Sequence, residues 1–177
     1  MKQKAALLLA LLDSEWRTVE GLFDKLATRP AAAAPTEADT VFQAYLLHNL
    51  YGAVEELLKQ VALTFENRVE DLAQYHAELL RRMTLDIPGF RPAFLSLDSC
   101  RGLQELRKFR HVFRHAYDFE LDAGRVAVLL ADAVKLRALL AEDQAQFRRF
   151  LVQLLEEASD TRAPEARAED GRRSVQS

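Results

Sequence analysis

The stretch RKFRHVFRHAYDFELD, residues 107–122, carries both a helical apolar pattern and the densest positive charge of the chain. Its first nine residues include six basic or imidazole side chains: Arg107, Lys108, Arg110, His111, Arg114 and His115. At about 100° per residue, these side chains share one half of a helix. The other half is apolar and consists of Leu106, Phe109, Val112, Phe113 and Ala116, with Tyr117 at its edge. The pattern predicts a helix that packs on a core with one half and presents cations with the other.

The cationic half of this helix has two interpretations. A charge-rich helix face is commonly no more than a solvated surface. However, like charges four residues apart, such as Arg110 and Arg114, oppose the helix slightly, and a polyanionic ligand would offset that repulsion. A metal site is not expected, because only Asp118 could complete a ligand set with His111 and His115, and the neighbouring cations oppose a divalent ion.

The remaining chain predicts a scaffold of helices, because its apolar side chains recur at spacings of three and four residues. We expect five helices, over residues 2–29, 37–67, 69–83, 99–119 and 123–158. The predicted N-caps are Thr36 for the second helix, Asp98 or Ser99 for the fourth and Asp122 for the fifth. The predicted fold class is therefore all-α, an up-down helical bundle of about five helices.

Two segments lack the helical pattern. Residues 85–99 contain two prolines and a glycine, so we expect an irregular connection there whose apolar side chains pack on the helices. Residues 159–177 hold a single apolar side chain larger than alanine, Val175, and cannot repay the entropy of ordering. The chain is thus predicted to form one domain, residues 1–158, followed by a disordered tail.

The composition limits the classes of function. Apolar residues make up 49% of the 177-residue chain, and the formal net charge of −3 argues against nucleic-acid binding over the whole surface. The single cysteine, Cys100, excludes an intramolecular disulfide and a cysteine-based zinc cluster, and we expect a cytoplasmic location. The apolar run near the N-terminus continues at helical spacing past Asp13, which favours a helix over a signal peptide. No run approaches the roughly 20 apolar residues that a membrane span needs.

The residues RHVFRHAY, 110–117, fit the R-x4-6-H signature of HEPN-domain ribonucleases. With Tyr117 they fit the longer R-x4-H-x-Y form of HepT toxins. Other parts of the chain also resemble HepT-like proteins, namely residues 48–52 with Glu55, residues 76–83, Arg91-Pro92 and Leu95-Ser96. The resemblance covers most of residues 37–155 and implies a HEPN-like helical domain.

This resemblance implies a metal-independent endoribonuclease that needs no cofactor and is the toxin of a toxin–antitoxin pair. Arg110 would hold the phosphate, since a guanidinium can bind phosphate bidentately and offset developing negative charge. His115 would transfer a proton or orient the 2′-hydroxyl, since an imidazole titrates near neutrality. Arg107, His111 and Arg114 would help to bind RNA.

Two protein partners follow from the same resemblance. HEPN proteins typically dimerise so that two motif helices line one cleft, and the separation of about 140° between Arg110 and His115 on one helix suits such a shared cleft. In HepT toxins, the tyrosine that matches Tyr117 receives AMP from a nucleotidyltransferase antitoxin, which would place negative charge beside Arg110. A tyrosine at a core edge also commonly only packs, so both interpretations of Tyr117 stay open.

Other functions and other residues also stay open. A non-catalytic HEPN-like module that binds RNA or a nucleotide, or docks on a partner, is the main alternative, and a purely structural adaptor is another. His48 and His76 are expected to pack or to make hydrogen bonds in the core. Glu55 either orients a tyrosine or arginine or lies on the surface, and Gly52 is expected to allow a close approach of two helices.

Overall fold

The computed structural model of the protein describes residues 2–28, 36–66, 75–114 and 121–160. Within these ranges the chain forms five α-helices and no β-strand, apart from an isolated bridge between Ile87 and Arg91. The helices are α1 (Lys2–Ala27), α2 (Glu37–Phe65), α3 (Tyr75–Met83), α4 (Leu97–Arg114) and α5 (Ala123–Asp160). The predicted all-α bundle of about five helices is confirmed.

Ion pairs and packing contacts show that two pairs of packed helices, α1 with α5 and α2 with α4, run antiparallel. Asp13 of α1 pairs with Arg148 of α5, and Asp24 pairs with Arg137. Residue numbers that increase along α1 therefore meet residue numbers that decrease along α5. The same inversion relates α2 to α4, where Glu55 pairs with Arg110 and His48 lies against Phe113. These opposed directions agree with the up-down arrangement that the sequence predicted.

Helix α2 is the centre of the bundle and packs against all four other helices of the described chain. Its N-terminus begins with the predicted N-cap Thr36, which forms a capping box with Asp39: Thr36 Oγ1 accepts from the backbone N–H of Asp39 at 3.2 Å, and Asp39 Oδ2 accepts from that of Thr36 at 3.3 Å. A cap of this kind contributes about 1 kcal/mol. The large buried side chains of α2 include Leu47, Leu50, Tyr51, Leu57 and Leu58, so this helix supplies much of the core.

The N-cap of α4 lies earlier in the chain than predicted. We expected Asp98 or Ser99, but α4 begins at Leu97, and Ser96 Oγ accepts from the backbone N–H of Ser99 at 3.2 Å. The backbone N–H of Ser96 in turn donates to Asp143 of α5 at 3.0 Å. The cap therefore also attaches the start of α4 to α5, a tertiary contact that the local sequence does not reveal.

The connection between α3 and α4 is irregular, as predicted, and is held by the buried side chain of Arg91. Its guanidinium donates to the backbone oxygens of Leu85, Pro92 and Arg82 at 3.0–3.1 Å and to the carboxylate of Glu66 at the end of α2. Burial lowers the pKa of Arg91. Of the apolar side chains in the connection, Phe94 and Leu95 are buried as expected, whereas Phe90 is exposed.

The N-cap of α5 was predicted correctly, and the helix ends later than expected. Asp122 caps α5 as predicted, since its Oδ1 accepts from the backbone N–H groups of Gly124 and Arg125 at 2.8 and 3.2 Å. Helix α5 continues to Asp160, and the predicted tail from residue 161 onward lies outside the described residues. None of the helices in the described part of the chain is long and apolar enough to cross a membrane.

Candidate functional site

A groove of about 600 Å³ lies between α2, α3 and α4. Helix α4 contributes Arg107, Arg110, His111 and Arg114, the four predicted site residues that the structure describes. Helix α3 adds His76, Glu78 and Arg81, and α2 adds Tyr51. These four residues of α4 therefore line one concave surface, and α3, which sequence reasoning did not assign to the site, forms the opposite wall.

The carboxylate of Glu55 lies beneath this groove and organises its floor. The side chain is only 3% exposed. Its Oε2 accepts from Nη1 of Arg110 at 3.0 Å, and its Oε1 accepts from the hydroxyl of Tyr51 at 3.3 Å and contacts Nδ1 of His76. Lys59 Nζ lies 3.6 Å from Oε2. A buried carboxylate needs such partners, so Glu55 is the orienting residue that the sequence left as one of two possibilities.

Arg110 is held in place from two sides. Besides the ion pair with Glu55, its guanidinium carbon lies 5.4 Å from the centre of the Tyr51 ring, a cation–π geometry. The side chain is 22% exposed. A guanidinium has five N–H donors, so an arginine anchored through one of them can still bind an anion in the groove with others.

Gly52 was expected to permit a close approach of two helices, and this expectation is wrong. A Cβ at Gly52 would lie 3.5 Å from Nη1 of Arg110, an ordinary van der Waals distance, and would meet no atom of a neighbouring helix backbone. The neighbour of Gly52 is thus the guanidinium of the candidate phosphate-binding residue.

Tyr51 supplies a neutral donor at the floor of the groove. Burial raises the pKa of its phenol most strongly, and the charge of Glu55 and the hydrogen bond to it raise it further, against a smaller opposing effect of Arg107 and Arg110. The hydroxyl therefore stays protonated at neutral pH and donates to Glu55.

The two histidines outside the motif occupy different environments. His48 packs against Phe113, with 5.4 Å between ring centres, and its buried Nδ1 has no hydrogen-bond partner among the described residues. Burial, followed by the charges of Arg110 and Arg114, lowers the pKa of His48. His76 bonds to Glu55, as expected of a core histidine, but it also lines the groove and is 40% exposed. Nothing in the spacing of the sequence indicated that position.

The rim of the groove is predominantly cationic. Arg107 Nε donates to Gln104 at 3.1 Å, and Arg81 makes a two-point contact with Glu78 at 2.6 and 2.9 Å. Arg114 is exposed. Among the described residues of the rim, the arginines outnumber the one carboxylate, Glu78, and this balance of charge favours anions.

The other residues of the motif helix differ in their environments. Val112 was assigned to the core half, but it is 51% exposed. Of the other described residues of that half, Leu106 and Phe109 are buried and Phe113 is partly buried. Lys108 pairs with Glu105 at 2.6 Å and does not line the groove. His115 and Tyr117 lie outside the described residues, so their predicted roles stay predictions.

An all-α bundle with an arginine-lined groove beside an R-x4-H sequence agrees with the class of fold that the resemblance implied. The family model described as HepT-like protein matches residues 43–151, and the chain belongs to this family. The matched region runs from the first turns of α2 into α5 and includes every residue that lines the groove. No curated protein and no solved structure matches the chain.

Proposed function

We propose that this protein is a metal-independent endoribonuclease and the toxin of a toxin–antitoxin pair. The observation that carries this proposal is the groove between α2, α3 and α4, in which Arg110 is anchored by the buried Glu55 and flanked by Arg107 and Arg114. Family membership supports the same function class, since HepT-like proteins are associated with HEPN nucleases. We place the protein in the cytoplasm, where its RNA substrate would be found.

Arg110 would hold the scissile phosphate. Its anchored guanidinium offers further N–H groups to the groove, and a positively charged donor set that is fixed before the reaction stabilises the extra negative charge of the transition state. Arg107, His111 and Arg114 would bind neighbouring phosphates of the RNA, since they line the same surface.

His115 would transfer a proton during cleavage. RNA carries its own nucleophile, because the 2′-hydroxyl next to the phosphodiester can attack phosphorus. The attack needs a base for the hydroxyl proton and an acid for the departing 5′-oxygen, and an imidazole can serve as either near neutral pH. His115 follows Arg110 by five residues, which places the two side chains about 140° apart if the helix continues.

That separation supports a homodimer with a composite site. One chain presents Arg110 and His115 in different directions, whereas two motif helices that meet would bring residues of both chains to one phosphate. The outer face of α4 also supports such a contact. It exposes the apolar side chain of Val112, on the same face of the helix as Lys108, where a second motif helix would cover it. Light scattering at micromolar concentration should give the mass of a dimer, and a monomer would contradict the shared cleft.

Tyr117 would be the control point of the toxin. Transfer of AMP to its hydroxyl by a nucleotidyltransferase antitoxin would add negative charge close to Arg110 and Arg114 and compete with RNA for them. Mass spectrometry of the protein after co-expression with the nucleotidyltransferase from a neighbouring reading frame tests this part of the proposal. A Tyr117→Phe variant should acquire no AMP and should stay toxic.

The deciding assay is cleavage of RNA in the presence of EDTA. Wild type should cut, while Arg110→Ala and His115→Ala should lose at least about 100-fold in rate. The matched control is Arg101→Ala, which removes an exposed arginine of the same helix that pairs with Asp98 and lies outside the groove. This control should cut RNA like wild type. If the protein binds RNA without cutting it, the binding module is the correct interpretation. If it neither binds nor cuts RNA, the structural adaptor is.

A further inference from the structure

We propose that His76 of α3 is a second proton-transfer residue of this site, the base that activates the 2′-hydroxyl, with Glu55 as its positioning residue. The inference rests on the proposed ribonuclease function and adds to it a residue outside the R-x4-H motif. Its basis is geometric: one buried carboxylate contacts His76 through Oε1 and Arg110 through Oε2.

The contact with Glu55 determines which nitrogen of His76 can accept a proton. A carboxylate only accepts hydrogen bonds, so the proton of a neutral His76 ring lies on Nδ1, which faces Glu55. The lone pair of that ring is then on Nε2, at the opposite edge. An imidazole whose tautomer is set by a carboxylate on one nitrogen is the arrangement of a general base.

The position of His76 allows this base to reach a substrate. Its side chain is 40% exposed and lines the groove together with Arg110 and Arg107. His76 and Arg110 contact the two oxygens of the same carboxylate and line the same groove. A phosphate bound by Arg110 would therefore share this surface with the imidazole, and in the proposed complex its neighbouring 2′-hydroxyl contacts His76.

The chemical step balances without a metal or a co-reactant. Nε2 of His76 takes the proton of the 2′-hydroxyl while the 2′-oxygen forms a bond to phosphorus. The bond between phosphorus and the 5′-oxygen breaks, and this oxygen receives a proton from the second imidazole, His115. The products are a 2′,3′-cyclic phosphate and a 5′-hydroxyl, and the negative charge of Glu55 offsets the positive charge on His76 until its proton is released.

The test compares His76→Ala and His76→Asn with wild type in single-turnover cleavage of RNA in EDTA. Asparagine keeps an N–H donor near the position of Nδ1, so it preserves the hydrogen bond to Glu55 but cannot transfer a proton. Both variants should cut at least about 100-fold more slowly. Both should bind a 2′-O-methyl RNA, which cannot be cleaved, as tightly as wild type, and this binding also reports that the variants fold. Added imidazole should restore part of the rate of His76→Ala.

A second substrate separates the base from the acid. In an RNA with sulfur in place of the 5′-oxygen at the cut linkage, the leaving thiolate departs without a proton. The His76 variants should stay slow on this substrate, whereas His115→Ala should recover. The matched control is His48→Asn, which alters a half-buried histidine outside the groove and should leave the rate unchanged.

Several results would overturn the assignment of His76. If His76→Asn cuts at the wild-type rate, the ring acts only as a hydrogen-bond donor. If binding and rate fall in parallel, His76 is a binding or structural residue. If the His76 variants recover on the sulfur substrate, His76 is the acid. In each of these cases wild type still cuts RNA, so the ribonuclease proposal survives. If wild type does not cut RNA in EDTA, the ribonuclease proposal and the role of His76 fall together.

Discussion

Glu55 of α2 binds Nη1 of Arg110 at 3.0 Å across 55 residues of sequence. The carboxylate is almost fully buried. It also accepts a hydrogen bond from the hydroxyl of Tyr51 and contacts His76. A buried charge of this kind is stable only when it is paired. The relationship therefore joins three helices and sets the direction of the side chain that we propose to hold the phosphate.

Replacement of this carboxylate by an amide should damage both the stability and the activity. In Glu55→Gln, Arg110 loses its counter-charge, and a hydrogen bond to a charged group contributes about 1.5–3 kcal/mol. We expect the free energy of unfolding to fall by about 2 kcal/mol and the rate of RNA cleavage to fall at least about 10-fold, because the guanidinium is no longer positioned. Urea denaturation and single-turnover kinetics measure the two effects.

The matched control for this change is Glu56→Gln. Glu56 is the next residue of α2, is half exposed and accepts from Gln60 on the outside of the helix. Its replacement should change the free energy of unfolding by no more than about 0.5 kcal/mol and leave cleavage intact. Equal effects of the two substitutions would show that Glu55 has no special role in the floor of the groove.

The half-buried His48 should make the folded protein sensitive to acid. Burial and the charges of Arg110 and Arg114 hold the pKa of His48 below its usual value of 6.5, so at acidic pH the unfolded chain takes up a proton that the folded protein resists. The contribution of His48 to stability is therefore complete above pH 6.5 and is lost as the pH falls toward the lowered pKa of the folded state.

His48→Gln, which does not titrate, isolates this contribution. Urea denaturation at several values between about pH 7.5 and about pH 5.5 should show a smaller loss of stability for the variant than for wild type. The absolute stability of the variant will be lower, because the ring contact with Phe113 is lost, so the slope with pH is the decisive quantity. Parallel slopes for the two proteins would contradict the lowered pKa.

The sequence predicted those features that depend on local spacing. Apolar periodicity gave the five helices, and the capping residues Thr36 and Asp122 are where the pattern placed them. Arg107, Arg110, His111 and Arg114 share a surface because side chains three, four and seven positions apart lie on one side of a helix.

The features that the sequence left open or did not predict depend on contacts between helices. Glu55 and His76 belong to the site only because α2 and α3 pack beside α4, and no spacing along the chain records that packing. Val112 fits the apolar arc of its helix, but none of the described elements buries it, and it is exposed. Ser96 is the cap of α4 partly because Asp143 of α5 binds its backbone.

The observed cap of α4 gives a direct comparison of two residues. Ser96→Ala should lower the free energy of unfolding by about 1 kcal/mol, since the first turn of α4 loses its acceptor. Asp98→Ala removes a residue that the sequence favoured as a cap but that in fact forms an exposed ion pair with Arg101, so it should cost less than about 0.5 kcal/mol. Urea denaturation of both variants decides between the two positions, and a larger loss for Asp98→Ala would restore the original prediction.

The cationic rim of the groove should determine how RNA binding depends on salt. Each phosphate contact made by an arginine releases counterions, which contributes about 0.7 to the slope of log K against log salt concentration for single-stranded nucleic acid. Arg114→Gln removes one exposed cation of the rim, so the magnitude of the slope should fall by about 0.7 and the affinity should fall at low salt. Fluorescence anisotropy with a 2′-O-methyl RNA over a range of salt concentrations measures both quantities without cleavage.

Arg101→Gln is the control for the net charge of the protein, because it removes the same charge from the same helix at a position outside the groove. If RNA lies in the groove, the salt slope of this control stays that of wild type while the slope of Arg114→Gln decreases. Equal decreases in the two variants would mean that RNA binding depends on the overall charge of α4, and this result would contradict the groove as the binding surface.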